Sequence, residues 1–278
     1  MIRSLSAQGF FKFLFYLFLG MGAIAMIVPF AWTVSASFKT VGEIFNYPPE
    51  FLPDKFYIEN YIRLFTDIPF VRWYGNSLMI SVTATTLSIF FSSLAGFGFA
   101  KYIFPLRSIL FYILISSLII PFQVILIPLF VLMIKLRWMD NYLAMIIPFM
   151  APAFGIFLMR QYIVSIPNEL IDAARIDGSS EFGIYYRIIL PLARPALGAL
   201  TIFQFMGSWN NFLWPLIVLK SPQKYTLPIG LSNLLSLYQR EYGMVMAASF
   251  LVALPMIILF LNMQKQFIAG LTLGSVKA

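Results

Sequence analysis

Asp172-Ala-Ala-Arg-Ile-Asp-Gly178, followed after nine residues by Ile188-Ile-Leu-Pro191, is a polar, acid-bearing island in a chain of long apolar runs. Hydrophobic residues make up 60% of the sequence and charged residues 11%, with a mean hydropathy of +0.86. A soluble domain carries roughly 25% charged residues, so this chain cannot cover its surface in water, and lipid must be part of its solvent. Runs with few or no charges lie at about 13–38, 76–100, 108–134, 141–160, 196–219 and 243–264. Each holds the ~20 residues a helix needs to cross a bilayer core. None alternates as the strands of a membrane barrel do. The expected fold is an all-α integral membrane protein with six transmembrane helices. It forms one domain over 1–278, with the polar island in the 163–194 connection between spans 4 and 5.

The first run is expected to be a span and not a cleaved signal. Arg3 and Lys12 precede it, but its apolar stretch exceeds the roughly 7–15 residues of a signal core, and no small-residue cleavage site closes it. The chain has no cysteine and no histidine. That removes disulfides, thiol chemistry and histidine catalysis, and it argues against a structural zinc site; no metal site and no catalytic residue are expected. Six spans place both termini and the island on one side. Lys and Arg divide ten to nine between the two sides, so the positive-inside rule does not choose the orientation. The net charge of +8 suits anionic lipid but is not concentrated enough outside the spans for nucleic acid.

The island reads as a compact helix-turn-helix. Pro167 suits the first helical turn, where its missing N–H costs nothing. Glu169 and Asp172 follow near the positive helix end. Leu170, Ala173 and Ala174 fall at i, i+3 and i+4, the spacing of one apolar, small-residue face. Asp177-Gly178 closes the helix, with Gly178 free to take a left-handed conformation. Ser179 or Ser180 can cap a second short helix running toward Arg187. Such a knob fits a groove on a soluble partner. An ordinary amphipathic loop on the membrane surface is the competing reading of the same residues.

The outer segment 39–72 is expected to be irregular with one short helix near 59–65. Residues 220–241 form a second outer loop, whose semi-apolar part 227–238 is interrupted by Pro228 and Gly230. Along span 2, Ala84, Ser88, Ser92, Gly96 and Ala100 form a small-residue stripe, expected to be a packing seam. Gln123, Gln204, Asn210, Asn211 and Asn262 are amides at or near membrane depth, where lipid contact is expensive. Amides and aromatics suit sugar hydroxyls, so Gln123, Trp209, Asn210 and Asn211 are candidate cavity residues. Helix-to-helix hydrogen bonding explains them equally well. No charge lies deep in a span, whereas proton-driven carriers usually need one.

The spacing of the island (acid-Ala-Ala, three residues, Gly, nine residues, Ile-x-Leu-Pro) resembles the coupling loop of permease subunits of ATP-binding-cassette importers, with Asp172 where the family usually has Glu. The maltose-type carbohydrate branch is matched across nearly the whole chain. Asn60-Tyr61, Asn76-Ser77-Leu78, Ile120-Pro121-Phe-Gln123, Ile127-Pro128 and Ile166-Pro167-Asn-Glu169-Leu170 carry the resemblance. So do Trp209-Asn210-Asn211-Phe212-Leu213 with Pro215, Leu254-Pro255, Gly270-Leu271, Gly274 and Lys277.

The resemblance implies a six-helix subunit in the inner membrane of a prokaryote, with both termini and the coupling loop cytoplasmic. Its partners would be a homologous second permease, two ATP-binding cassette subunits and an extracytoplasmic sugar-binding protein. ATP and Mg would be bound by the cassette subunits, with no cofactor in this chain. Glu169, Asp172, Ala173, Ala174, Asp177 and Gly178 would then couple to the ATPase.

The implied function is import of a disaccharide, oligosaccharide or glycosylated polyol by alternating access. A different small polar solute, such as a glycerol derivative, is the alternative within the family, and a self-contained carrier is another. The chain has no G-x-x-x-x-G-K-[ST] loop with which to hold nucleotide itself. An intramembrane enzyme lacks a visible nucleophile and base pair.

Overall fold

The computed structural model describes residues 2–237 and 241–272, with side chains over 9–234 and 241–270. Tyr238, Gly274 and Lys277 lie outside the described residues. The described chain is helical: α1 (Ile2–Ala36), α2 (Val41–Ile44), α3 (Glu59–Thr66), α4 (Phe70–Lys101), α5 (Arg107–Ser117), α6 (Phe122–Lys135), α7 (Leu143–Ile146), α8 (Ala153–Val164), α9 (Asn168–Ile176), α10 (Glu181–Ile184), α11 (Leu190–Leu192), α12 (Arg194–Trp209), α13 (Leu213–Val218), α14 (Leu227–Leu237) and α15 (Tyr242–Thr272).

Gly9–Ala36, Phe70–Lys101, Leu143–Val164 and Tyr242–Gly270 are each long and apolar enough to cross a membrane. Two bent pairs qualify if each is taken as one span: Arg107–Ile119 with Phe122–Lys135, bent by 103°, and Glu181–Leu192 with Arg194–Val218, bent by 80°. The stretch expected as one straight span at 108–134 is therefore a broken one. Pro121 explains where it breaks. It lacks an N–H and crowds the carbonyl four residues back, which is that of Ser117, where α5 ends.

The chain groups into two compact units, 1–69 with 231–253 and 70–230 with 254–278. In the first, the apolar stretch of α1 is uncovered, with Phe11, Phe18 and Met26 more than half exposed. Asn60 organises the loop that follows. Its buried amide donates to the Ser37 and Lys39 carbonyls, both at 2.9 Å. Lys39 is itself buried, its ammonium 4.6 Å over the Trp32 ring and donating to the Glu50 carbonyl.

The second unit is built on α4. Along the small-residue stripe α4 and α8 touch backbone to backbone. A Cβ on Gly96 would come within 2.7 Å of Met159 Cβ and 2.9 Å of the Arg160 nitrogen, and one on Gly155 would strike the Ser92 hydroxyl. The seam expected from the sequence is present, with Ala84, Ser88, Ser92 and Gly96 buried. One buried cluster joins Phe97, Met159, Ile163, Ile184, Ile189 and Leu200; another joins Ile80, Met133, Met145, Trp214, Val218 and Ile229.

The interruption expected at Pro228 and Gly230 does not occur, and α14 runs through both. Pro228 falls in the first turn, where no N–H is missed. Gly230 is required because the Trp73 ring occupies the place of its side chain.

Candidate functional site

The island folds as a helix-turn-helix of α9 and α10. Pro167 precedes α9 in an extended conformation (ψ 137°), one residue before the expected position, and the helix begins at Asn168. Gly178 takes φ +80° and its N–H donates to the Arg175 carbonyl at 3.0 Å, closing α9. Ser180 caps α10 by accepting from the Gly183 N–H at 3.2 Å.

Arg175 clamps the two helices. Its Nε donates to Glu181 Oε1 at 2.8 Å and its Nη2 to Oε2 at 3.2 Å, while Nη1 reaches Asp172 at 3.3 Å. Tyr102 also donates to Glu181. Burial, and then this carboxylate, push its phenol up to about 12, so it stays a donor throughout the physiological range. From α4, Lys101 donates to the Ile166 carbonyl at 2.5 Å and to Asn168 at 2.8 Å. The knob is thus tied to the end of a spanning helix.

The expected three-residue face is divided. Ile171 and Ala174 turn inward to join the cluster of Ile163, Ile184 and Ile189. Leu170 and Ala173 face out, with Glu169, Asp172, Asp177 and Gly178 also exposed. Ala174 therefore anchors the knob and does not lie on its outer surface; the i, i+3 pair Ile171–Ala174 sets the buried stripe. Ile176 (87% exposed), Phe182 and Tyr186 add apolar surface that the chain itself leaves uncovered. Sequence reasoning passed over these three, although an exposed Ile beside Asp177-Gly178 was a readable sign.

A cavity of about 240 Å³ opens in the second unit, lined by Ala84, Met145, Phe149, Pro152, Gln204, Gly207, Ser208 and Asn211. It sits at a break in the helix that runs over Arg194–Val218. Pro215 has no N–H for the Asn211 carbonyl four residues back, and the chain unwinds between Trp209 and Leu213. The Asn211 side chain accepts from the Trp214 N–H at 3.4 Å, starting α13. Trp214 is buried, donates to the Ala144 carbonyl at 2.9 Å and meets Phe122 and Phe149 edge-on.

Of the expected cavity residues, Asn211 alone lines this space. Trp209 is buried against Phe205, stacked at 5.6 Å, and Tyr74. Asn210 is exposed, and Gln123 lies exposed at the start of α6. The polar lining is Gln204 and Ser208, one turn apart on α12, and Asn211 in the unwound stretch that follows.

Residues 88–269 match the family of binding-protein-dependent transport system inner membrane components. The chain is 42% identical over 258 residues to the arabinooligosaccharides transport system permease protein AraQ of Halalkalibacterium halodurans, covering 92% of each. It is 38% identical over 264 residues to the lactose transport system permease protein LacG of Rhizobium radiobacter, covering 94% of this chain and 95% of that one. A solved bacterial ABC transporter involved in the import of the acidic polysaccharide alginate contains a chain that superposes with a TM-score of 0.83. That chain is 26% identical, and the match covers 94% of this chain and 98% of that one. With its apolar helices, its helix-turn-helix and these relatives, the chain belongs to the binding-protein-dependent transport system inner membrane components, the permease subunits of ABC importers.

Proposed function

We propose that this chain is one of two homologous permease subunits that carry a sugar across the inner membrane by alternating access, driven by ATP hydrolysed on two cassette subunits. The observation that carries the reading is the knob: a folded, exposed helix-turn-helix anchored through Ile171, Ala174 and Lys101 to spanning helices. Force applied to it reaches α4 and α8 directly. The arabinooligosaccharide and lactose names of its relatives support a di- or oligosaccharide over a smaller polyol.

In this mechanism an extracytoplasmic binding protein delivers sugar to the outer loops. ATP binding draws the cassette subunits together, and they pull the knobs with them. The helices then move as packed bodies and expose the cavity to the other side. The knob and both termini lie in the cytoplasm. Gln204, Ser208 and Asn211 offer donors and acceptors, and Phe149 and Met145 an apolar wall. The cavity is smaller than the roughly 300–1,000 Å³ of drug-sized pockets, so the partner permease supplies the remaining wall.

The test is to substitute Gly178→Pro or Ala173→Trp in the assembled transporter. Proline removes the N–H given to Arg175 and cannot adopt φ +80°. Tryptophan puts bulk on the outer face at an exposed small residue. Sugar uptake should be lost while the permease pair remains inserted. Uptake at the normal rate in either variant overturns the coupling role.

A further inference from the structure

At the end of the spans that carries the knob, two arginines face one pocket without a carboxylate. The pocket, about 390 Å³, is lined by Arg107, Ser108, Phe111 and Tyr112 of α5 and by Arg160 of α8. Arg107 donates from Nε to the Phe99 carbonyl at 2.9 Å and from Nη2 to the Ala100 carbonyl at 3.3 Å. Arg160 lays its guanidinium 4.1 Å from the Phe111 ring centroid and donates from Nη1 to the Gln161 amide oxygen at 3.3 Å. Its Nε is buried with no hydrogen-bond partner among the described residues. Two neighbouring basic groups at this end are engaged, Lys101 by Ile166 and Asn168 and Arg175 by Glu181 and Asp172. Neither Arg107 nor Arg160 is among the ion pairs of the described residues.

Two like charges beside one cavity repel, and a buried N–H left unmade is expensive. An anion with several acceptor oxygens seated in the pocket offsets that repulsion and accepts from the guanidinium N–H groups that face it. A phosphate suits the planar, multi-donor guanidinium better than a point charge does. The surroundings say which phosphate. The outward face of α5 is apolar beside the pocket, with Leu106, Ile109, Leu110 and Ile113 exposed, and Tyr112 is an aromatic of the interfacial kind, 67% exposed. Hydrocarbon chains can lie along that face while a headgroup enters the pocket.

We infer that Arg107 and Arg160 form a site for the phosphodiester headgroup of an anionic phospholipid, whose acyl chains lie against α5. Basic pockets between spanning helices are known to bind such headgroups. The site is independent of the sugar cavity and of the coupling role, and its test reads lipid and not transport.

The assembled transporter is placed in nanodiscs of phosphatidylcholine with and without phosphatidylglycerol, then released, and retained lipid is counted by native mass spectrometry. Wild type should keep phosphatidylglycerol in preference to phosphatidylcholine. Arg160→Gln should weaken retention roughly fivefold, the worth of one basic residue near a lipid surface. Arg107→Gln should do the same, but it also removes the bonds to Phe99 and Ala100. Ser108→Trp is therefore included; it fills the pocket with both charges in place, and it too should lose the lipid. Inorganic phosphate should not displace it. Equal retention in wild type, Arg160→Gln and Ser108→Trp overturns the inference. So does displacement by inorganic phosphate, which marks a free-anion site, or capture of a partner subunit by a photo-cross-linker at position 160, which marks a protein interface.

Discussion

Gly96→Ala tests the packing that the coupling reading depends on. The added Cβ would lie 2.7 Å from Met159 Cβ, 2.9 Å from the Arg160 nitrogen and 3.1 Å from the Met159 carbonyl carbon. Two of these three atoms are backbone, so no rotamer change relieves the clash, and α4 and α8 must separate by several tenths of an ångström. Overpacking of this kind costs about 1–3 kcal/mol. Against it stands the gain in helix propensity of Ala over Gly, about 1 kcal/mol. Gly98→Ala, in the same helix with nothing within 4 Å of its would-be Cβ, carries the propensity gain alone. The difference between the variants therefore isolates the seam. Thermal unfolding of the purified transporter in one lipid, followed by intrinsic fluorescence, should place Gly96→Ala below wild type and Gly98→Ala at or above it. Equal midpoints for the two variants would refute a backbone-to-backbone contact of α4 with α8.

Asn211→Ala should change the transport constant for sugar a few-fold to about tenfold, the worth of one hydrogen bond, while Asn210→Ala, outside the cavity lining, leaves it unchanged; uptake assays over a sugar range check both. Burial pushes the Asp140 carboxyl up, but the Ser221 hydroxyl, the Ser221 and Lys220 N–H groups and the Lys224 ammonium outweigh it and hold the group well below the usual carboxylate range. Its contribution is therefore present above an ordinary carboxylate pKa of about 3.9 and lost as pH falls through the depressed folded value. Asp140→Asn should cost about 1 kcal/mol at pH 7, the low end for a partly exposed group, and its deficit against wild type should shrink below about pH 4 in the same unfolding assay. The purified chain alone should hydrolyse no ATP, and activity should appear when the cassette subunits are added; phosphate release measures both.

The four unbroken spans were legible because a long apolar helix suits a bilayer, whereas the run at 108–134 folds as a bent pair that length and composition did not show. The knob was legible because Pro167, Gly178 and Ser180 each carry a local backbone preference. The Gly96 stripe was legible for the same reason: four-residue spacing puts small residues on one helix face. What escaped depended on which face of a helix meets which neighbour. Trp209, Asn210 and Asn211 are consecutive in sequence but point to a core, to the outside and into a cavity. Only the break forced by Pro215 and the packing of Trp214 decide among them. Ala174 went inward and Ala173 outward because Ile171 selects the buried stripe. The helix through Pro228 and Gly230 could not be foreseen, since the reason for Gly230 is the Trp73 ring, distant in sequence.

The 103° bend at Pro121 has a consequence for the bilayer itself. At 1.5 Å per residue, each arm of the pair is about 20 Å long, against a hydrocarbon core of about 30 Å. Neither arm reaches across alone, so wherever lipid and not protein borders the bend, it has to thin or yield to water. That deformation costs a fraction of a kcal/mol for each ångström of mismatch. Any motion that opens or closes the bend changes the area and curvature of the surrounding lipid, so the elasticity of the bilayer enters the balance between the permease's states. Lengthening the acyl chains of the host membrane then shifts that balance with no change in the protein.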